Sequence, residues 1–505
     1  MYNRTKCVVY ALPLIALLSA CGSNQAVLDP TEMRRTISED MRVAYPPEAQ
    51  RGEVLTLEMA IARGIKFNLD AKVAQMENYV ARKESALAGY DALPTASLTA
   101  SRIGRNNPGG SSSRSLQTGV QSLEPSVSTD QYRNTASLDA NWNLLDAGLA
   151  IARARGASDR EKVSMERRRK VFEDVVTAVY ASYWRAAAAQ RLQPKIRDLI
   201  AATNTETQKL DAAVKAGVIP FGDAKTLKGT LLDKRAALMT LKDRLLLAEA
   251  GLKALIAMPP GSPLRLDISD SDWLEGRDLP RLSRSDDSLH AIALLHRPEM
   301  HEQFLNKSIS ARNVKLEIFS TFPGASAVLG AKHDGNSFLA NSDWVDWTFS
   351  LTQSITKLLT LPARYQRAKA DQALTEKRRQ ALVAAVMTQV TLARLRFEYL
   401  KEFYSAASDV EENSRQLARR AVGFAKTGMM ATPQKVVAEI DAAMAGANRM
   451  VAFGDAQEAY AQLVSSLGID IWSGDGDGVA LPDISSTVRR NLQALEDEIL
   501  TEKGA

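Results

Sequence analysis

The stretch YRNTASLDANWNL, residues 132–144, alternates between apolar and polar side chains along its length. Its even positions are mostly apolar, Leu138 and Trp142 among them, and its odd positions from Arg133 to Asn143 are all polar. A period of two predicts a β-strand with two different faces. The stretch VDWTFSLT at 345–352 repeats the pattern, with Val, Trp, Phe and Leu on one side.

Partner stretches beside these two alternate in the same way with smaller residues. We predict four strands, at about 95–103, 132–145, 325–332 and 344–353. Strands of about 9–11 residues span an outer membrane when they are tilted. Trp142, Trp344 and Trp347 are candidates for anchors at the membrane interface. The alternative is a soluble sheet that buries one face on a core.

Four strands from one chain leave two open edges. An open edge cannot remain in lipid, because its backbone N–H and C=O groups would have no hydrogen-bond partners there. Insertion therefore requires several copies, and three copies would supply twelve strands. The polar segment 104–130, rich in Gly and Ser, is predicted to be a surface loop between the first two strands.

Helix-forming residues dominate the rest of the chain. Two long segments, about 148–216 and 363–427, are each predicted to be one helix, and a rise of about 1.5 Å per residue gives the second roughly 97 Å. Pro194 lies within the first and predicts a kink or a break there, because it removes a backbone hydrogen bond. Long helices by themselves also fit an ordinary coiled coil whose only function is spacing.

Each long helical segment ends in a stretch that holds Gly and then Pro. These stretches, KAGVIPFGD at 215–223 and KTGMMATP at 426–433, are predicted to reverse the chain. Shorter returning helices follow, at about 223–257 and 434–467, and shorter climbing helices precede the strands, at about 70–92 and 299–321. We expect a returning and a climbing helix to stack end to end, with the connecting segments near mid-height.

The chain reads as an internal duplication of a strand pair and a long helix. The matched pairs are Asn68 and Arg297 at an offset of 229 residues, then Gly217 and Gly428, and Ala257 and Gly468, at an offset of 211. The offset changes because the first copy has the longer loop. The predicted units are 1–20 (signal peptide), 21–56 (lipidated segment and equatorial region), 57–257 (first repeat), 258–288 (equatorial connector), 289–468 (second repeat) and 469–505 (equatorial segment or tail).

The N-terminus predicts an export signal. Arg4 and Lys6 precede about a dozen apolar residues, too few to span a bilayer comfortably, and LSAC then ends at Cys21. This stretch resembles the bacterial lipoprotein cleavage box, which implies acyl chains such as palmitate on Cys21. An ordinary signal peptide with an incidental cysteine is the alternative. Gly22 after the cysteine favours the outer membrane.

Composition excludes several classes of protein. Lys and Arg are mixed with Asp and Glu along the chain, and the net charge is only +5 over 505 residues, which argues against a nucleic-acid binder. The four His and two Cys show no metal-ligand spacing, and the Gly-rich phosphate loop and the GxSxG motif are absent from the sequence. We therefore expect no catalytic residue, no metal and no cofactor.

The order of these features resembles the TolC-type outer membrane factor family over about 54–468. NLDAKVAQMENYVARKESALAGYDALPTASLTA, WNLLDAGLAIARARGAS, HRPEM and STFPGASAVL carry the resemblance. It implies a mainly α fold with a small membrane β-barrel: a homotrimer with twelve strands in the outer membrane, continued by a twelve-helix tunnel across the periplasm. It also implies a periplasmic adaptor (membrane fusion) protein, with an inner-membrane pump or secretion ATPase behind it.

The resemblance also assigns residues. It places adaptor contacts at the reversals, on Gly217, Val218, Ile219, Gly428 and Met429. The alternative is that the two reversals are turns that only change the direction of the chain and contact no partner. Some family members carry an acidic ring just inside the tunnel mouth, whereas this chain has Arg419 and Arg420 there. Those two arginines line the lumen or gate, or else form salt bridges or solvated faces.

The implied function is a passive outer membrane channel, anchored by lipid, for the export of small solutes or drugs. A channel for type I protein secretion is the alternative. A periplasmic adaptor lipoprotein is less favoured, because it would show one helical hairpin rather than two that each follow a strand pair. A structural coiled-coil lipoprotein is also less favoured.

Overall fold

The computed structural model describes residues 29–500 except 51–52, 123, 268–278, 281, 283, 475 and 477. Its helices are α1 (Pro30–Ala44), α2 (Leu57–Phe67), α3 (Leu69–Tyr90), α4 (Leu144–Lys215), α5 (Phe221–Leu255), α6 (Asp286–His296), α7 (Pro298–Phe319), α8 (Ile355–Lys426), α9 (Thr432–Leu467) and α10 (Leu481–Leu500). Its strands are β1 (Thr95–Gly104), β2 (Gly110–Ser111), β3 (Ser126–Val127), β4 (Tyr132–Asn143), β5 (Gly324–Asp334) and β6 (Asp343–Thr352). The fold is mainly helical.

The long strands form one antiparallel sheet in the order β1-β4-β5-β6. Each sequence copy supplies one hairpin, and β4 pairs with β5 to join the two copies. Within the described chain β1 and β6 are the edge strands. The polar loop between β1 and β4 carries its own short hairpin, β2 with β3.

The helices follow the same lateral order as the strands. On the side near the sheet, α3 packs on α4, and α7 lies between α4 and α8. On the far side, α5 packs on α4, and α9 lies between α4 and α8. The layer therefore has four lanes, α3 with α5, then α4, then α7 with α9, then α8. Its two outer lanes each have a side without a neighbouring helix in the described chain.

The two long helices, α4 and α8, have 72 residues each, or about 108 Å at 1.5 Å per residue. Both begin earlier than the sequence indicates, because polar side chains cap them. Asn143 accepts hydrogen bonds from the backbone N–H groups at 145 and 146, and Ser354 accepts one from the N–H at 357. The predicted break at Pro194 is absent, since α4 continues through it, and α8 likewise contains Pro362.

The returning helices meet the climbing helices end to end at mid-height. Asn68 ends α2 and begins α3, and Arg297 ends α6 and begins α7, as their matched positions require. The Asn68 side chain donates to the Leu255 carbonyl at the end of α5. Gly468, which ends α9, lies so close to Arg297 that a Cβ on Gly468 would be 2.6 Å from the Arg297 Cα. Each copy thus contains one helix joint.

The core is thickest at mid-height, between α4 and α9. Trp184 packs edge-on against Tyr183 and Phe453, with ring centroids 5.5 and 5.4 Å apart. Four consecutive alanines, 186–189, are buried in α4. Because Ala and Gly carry so little side chain, the helices approach closely, and a Cβ on Gly454 would lie 3.8 Å from the Arg185 backbone nitrogen.

The segments on either side of the first repeat pair with each other at the same height. Leu55 and Leu266 form a parallel β-bridge, with backbone hydrogen bonds of 2.9 and 2.8 Å. The Tyr183 hydroxyl lies 3.2 and 3.0 Å from the carbonyls of Leu55 and Asp267. Gln190 accepts from the Leu266 N–H. Beside this region α2 packs on α4, α10 packs on α2, and α6 packs on α8 and α9.

None of the helices in the part of the chain that the structure describes has an apolar stretch long enough to cross a bilayer.

Candidate functional site

One face of the sheet is apolar across all four strands. The cross-strand register aligns Leu98, Leu138, Ala331 and Val345 in one row, and Ala96, Ala140, Leu329 and Trp347 in the next. The largest members are exposed, at 79% for Leu98, 72% for Trp347 and 73% for Phe349. We call this the apolar sheet face. An exposed apolar patch of this extent marks a membrane or protein contact.

The opposite face of the sheet is polar. Lys332 pairs with Asp346 across β5 and β6 at 2.6 Å. The Ser326 and Ser350 hydroxyls are 2.6 Å apart. Trp344 aligns with Lys332 and so lies on this polar face, away from Trp347. It therefore does not share a face with Trp142 and Trp347, the other two candidates for interfacial anchors.

The two reversals have the same backbone geometry. In the first, the Val218 N–H donates to the Ala213 carbonyl at 3.0 Å; in the second, the Met429 N–H donates to the Phe424 carbonyl at 2.9 Å. Gly217 and Gly428 have φ of +67° and +76°, the left-handed conformation that ends many helices. Glycine adopts it without the steric cost of a Cβ.

Each reversal presents one exposed apolar side chain. Val218 is 74% exposed and Met429 is 75% exposed, at matched positions of the two copies. Ile219 is half-buried against the hydrophobic core. No heavy atom of the described chain comes within 4 Å of a Cβ built on either Gly217 or Gly428. The two hairpins lie side by side, joined by the ion pair between Lys234 and Asp441.

Arg419 and Arg420 lie in the last turns of α8, about 12–14 Å from the second reversal at 1.5 Å per residue. Both side chains are exposed. Neither forms an ion pair with another residue that the structure describes, so inter-helix salt bridges within one chain do not account for them. Cys21 lies outside the described residues.

A buried carboxyl group lies at mid-height, and no sequence motif points to it. Glu173 is 7% exposed and borders a small apolar cavity of about 20 Å³ between α4, α9 and α10. Its carboxylate is 3.4 Å from Arg169 Nε. Burial raises the pKa of Glu173 to about 8, because Arg169 only partly offsets the lost hydration. Burial also raises the pKa of Asp470, 3.1 Å from Arg169.

Among the described residues there is no group of three or more His, Cys, Asp or Glu that could hold a metal. The mid-height carboxylates of Glu166, Glu173 and Asp470 instead surround one guanidinium group, that of Arg169, at 3.5, 3.4 and 3.1 Å. The candidate functional features of the described chain are therefore two surfaces, the apolar sheet face and the exposed reversals, connected by helices about 108 Å long.

A hairpin pair continued by two long helices and two jointed helices defines the fold of a TolC-type outer membrane factor. Solved channels share it. The outer-membrane channel OprN aligns with a TM-score of 0.62 over 83% of this chain and 90% of its own, at 17% identity. The Campylobacter jejuni CmeC outer membrane channel gives 0.63 over 88% and 89%, at 13% identity. The open-state Neisseria gonorrhoeae MtrE outer membrane channel gives 0.61 over 82% and 88%, at 18% identity.

The predicted resemblance is thus confirmed at the level of the fold. No family model and no curated protein sequence matches the chain. The alignments cover 82–88% of this chain and 88–90% of these three neighbours, so the likeness extends over most of both chains.

Proposed function

We propose that three copies of this chain close into a channel that crosses the outer membrane and extends through the periplasm. The carrying observation is the apolar sheet face on a sheet whose edges are open. In lipid the apolar face is favourable, but the edges are not, because unpaired backbone groups find no hydrogen-bond partner there. Pairing β6 of one copy with β1 of the next removes every edge.

The helical layer supports the same closure. Its lanes follow the order of the strands, and its two outer lanes each lack a neighbour on one side. Three copies would place twelve lanes around one passage. The polar sheet face would then line the barrel and continue into the tunnel. Such a channel is a passive conduit, so energy has to come from a partner.

The reversals are the proposed docking site for that partner. Val218 and Met429 are exposed apolar side chains at the end of the helices far from the sheet. A periplasmic adaptor that contacts them would connect the channel to an inner-membrane pump. Gating would follow from splaying of the helices at this end. Lipid on Cys21 would add an anchor in the outer membrane.

We assign small solutes or drugs as the exported class, with type I protein secretion as the alternative. Predicted lipidation of Cys21 favours small solutes. Crosslinking in cells, followed by identification of the attached inner-membrane protein, distinguishes the two. A drug or solute pump supports the assignment, and a secretion ATPase overturns it in favour of protein export.

The closure itself is tested with Phe349→Asp and the matched control Thr348→Asp. Phe349 lies on the apolar sheet face and Thr348 on the polar face of the same strand. An aspartate on the lipid side of a barrel is destabilising, although by less than the roughly 2–4 kcal/mol that an Arg or Lys costs at the bilayer midplane, and each trimer would carry three. We expect F349D to lose outer membrane trimers and T348D to keep them, as measured by crosslinked mass and single-channel conductance. Equal assembly of both variants would contradict the lipid-facing orientation.

A further inference from the structure

An open cleft of about 510 Å³ lies between α4, α7 and α8, just below the sheet. Its floor is apolar, with Leu149, Leu316 and Ala368, and its charged lining is Arg153, Lys357, Arg364 and Arg367 against Glu317 and Asp371. Four cations and two anions leave a formal charge of +2 per chain. Lys357, Arg364 and Asp371 are spaced seven residues apart and therefore share one side of α8.

Two of the four positive charges of this cleft are uncompensated. Arg364 is 3.7 Å from Glu317, a weak and half-exposed pair. Arg153 and Arg367 are exposed and form no ion pair with any residue that the structure describes. Their guanidinium groups are free to bind a ligand. Ser310, Asn313 and Ser320 add hydrogen-bonding groups from α7.

The angular positions of Arg153 and Arg367 around their helices place both side chains on the lumen side of the helical layer. Arg169 and Arg394 face the mid-height segments, through Asp470 and Asp286. Those segments must be outermost in a tunnel, since a passage has to stay open on the other side. Arg153 lies about 4.4 turns before Arg169, and Arg367 about 7.5 turns before Arg394. Each therefore points about 160–180° away, into the lumen.

We propose that this cleft is a binding site for small organic anions in transit, and so for an anionic class of exported solute. Guanidinium groups bind carboxylates and sulfonates in paired hydrogen bonds. The apolar floor suits an anion that carries a hydrophobic body. This inference rests on the proposed channel, and in a trimer it gives three equal sites around the lumen, just before the barrel.

The test is a matched pair of double variants in planar bilayers. R153Q/R367Q removes two lumen-facing charges. R155Q/K369Q removes two charges from the same helices, but these residues lie within about 40° of Arg169 and Arg394 in helical phase and so face outward. Relative to wild type, we expect the reversal potential in a KCl gradient to shift toward K⁺ selectivity in the first variant only.

Binding is measured with 2-naphthoate as the probe. We expect it to block wild-type current reversibly, and R153Q/R367Q to weaken the block on the order of tenfold, since each charge at contact distance contributes roughly fivefold in water. We expect 2-naphthoate to block the R155Q/K369Q channel as strongly as it blocks wild type. Normal channels with equal block and equal selectivity in both variants overturn the anion site alone. A wild-type protein that forms no channel overturns the channel and the site together.

Discussion

The joint between α9 and α7 offers a sharp test of the packing, through the substitution Gly468→Ala. Gly468 has φ of +68°, a conformation that costs a residue with a Cβ about 1–2 kcal/mol. Its Cβ would also lie 2.6 Å from the Arg297 Cα and 2.7 Å from the Arg297 nitrogen. Backbone atoms cannot rotate aside, so the two helix ends must separate by about 1 Å, which adds roughly 1–3 kcal/mol.

The control is Gly217→Ala at the first reversal. Its φ of +67° is nearly the same, but no atom of the described chain lies within 4 Å of the new Cβ. This variant therefore loses only the conformational term, about 1–2 kcal/mol. The difference between the two variants isolates the contact at the joint.

The measurement is guanidinium unfolding of the detergent-solubilised protein, followed by far-ultraviolet circular dichroism. We expect the unfolding midpoint of G468A to fall well below that of G217A, which itself falls slightly below wild type. Equal midpoints for the two variants would refute the end-to-end contact, because both carry the same positive-φ penalty.

Three further predictions follow from single side chains. The folded state holds the Glu173 proton with a pKa of about 8, against an ordinary value of 4.5. The free energy of unfolding should therefore fall by up to about 1.4 kcal/mol per pH unit as the pH rises from 4.5 to 8. Glu173→Gln should remove this slope in pH-dependent unfolding. Pro194 is exposed within an unbroken helix, so Pro194→Ala should restore a hydrogen bond and raise the unfolding midpoint; an unchanged midpoint would mean that the helix is already relaxed around it. Val218→Asp with Met429→Asp should abolish crosslinks to the adaptor and keep the trimer, as judged by crosslinked mass; adaptor crosslinks that survive would locate the contact elsewhere.

The periodic parts of the chain were predictable from sequence. Strand alternation located all four long strands within two residues at each end, and the duplication paired Asn68 with Arg297 before their shared role as a helix boundary was visible. A strict alternation fixes the register of a strand, because a shift of one residue would turn every side chain of the strand to the wrong face.

Helix ends and distant contacts were less predictable. Asn143 and Ser354 begin the long helices earlier than expected, because a cap depends on one side chain and not on a period. Pro194 does not break its helix, and α8 extends past Pro362 although the sequence predicted a start at 363, since a long packed helix tolerates the loss of one hydrogen bond. The cleft arginines come from two helices more than 200 residues apart in sequence, so no local pattern brings them together.

The two helix joints show how a duplicated fold becomes asymmetric. At the first joint Ala257 has φ of 55°, so that position accommodates a Cβ, and the contact is made by the Asn68 side chain. At the second joint Gly468 is required, because the Arg297 backbone occupies that space.

Arg297 also links the second joint to the neighbouring long helix, α8. Its guanidinium donates to Gln389 on α8 at 2.7 Å and pairs with Glu299 at 3.2 Å. No equivalent link to a long helix is formed by Asn68 among the described contacts, since its side chain serves the cap of α3 and the end of α5. The lane of α7 and α9 is therefore tied to α8 at mid-height, whereas the lane of α3 and α5 is held there mainly by packing on α4.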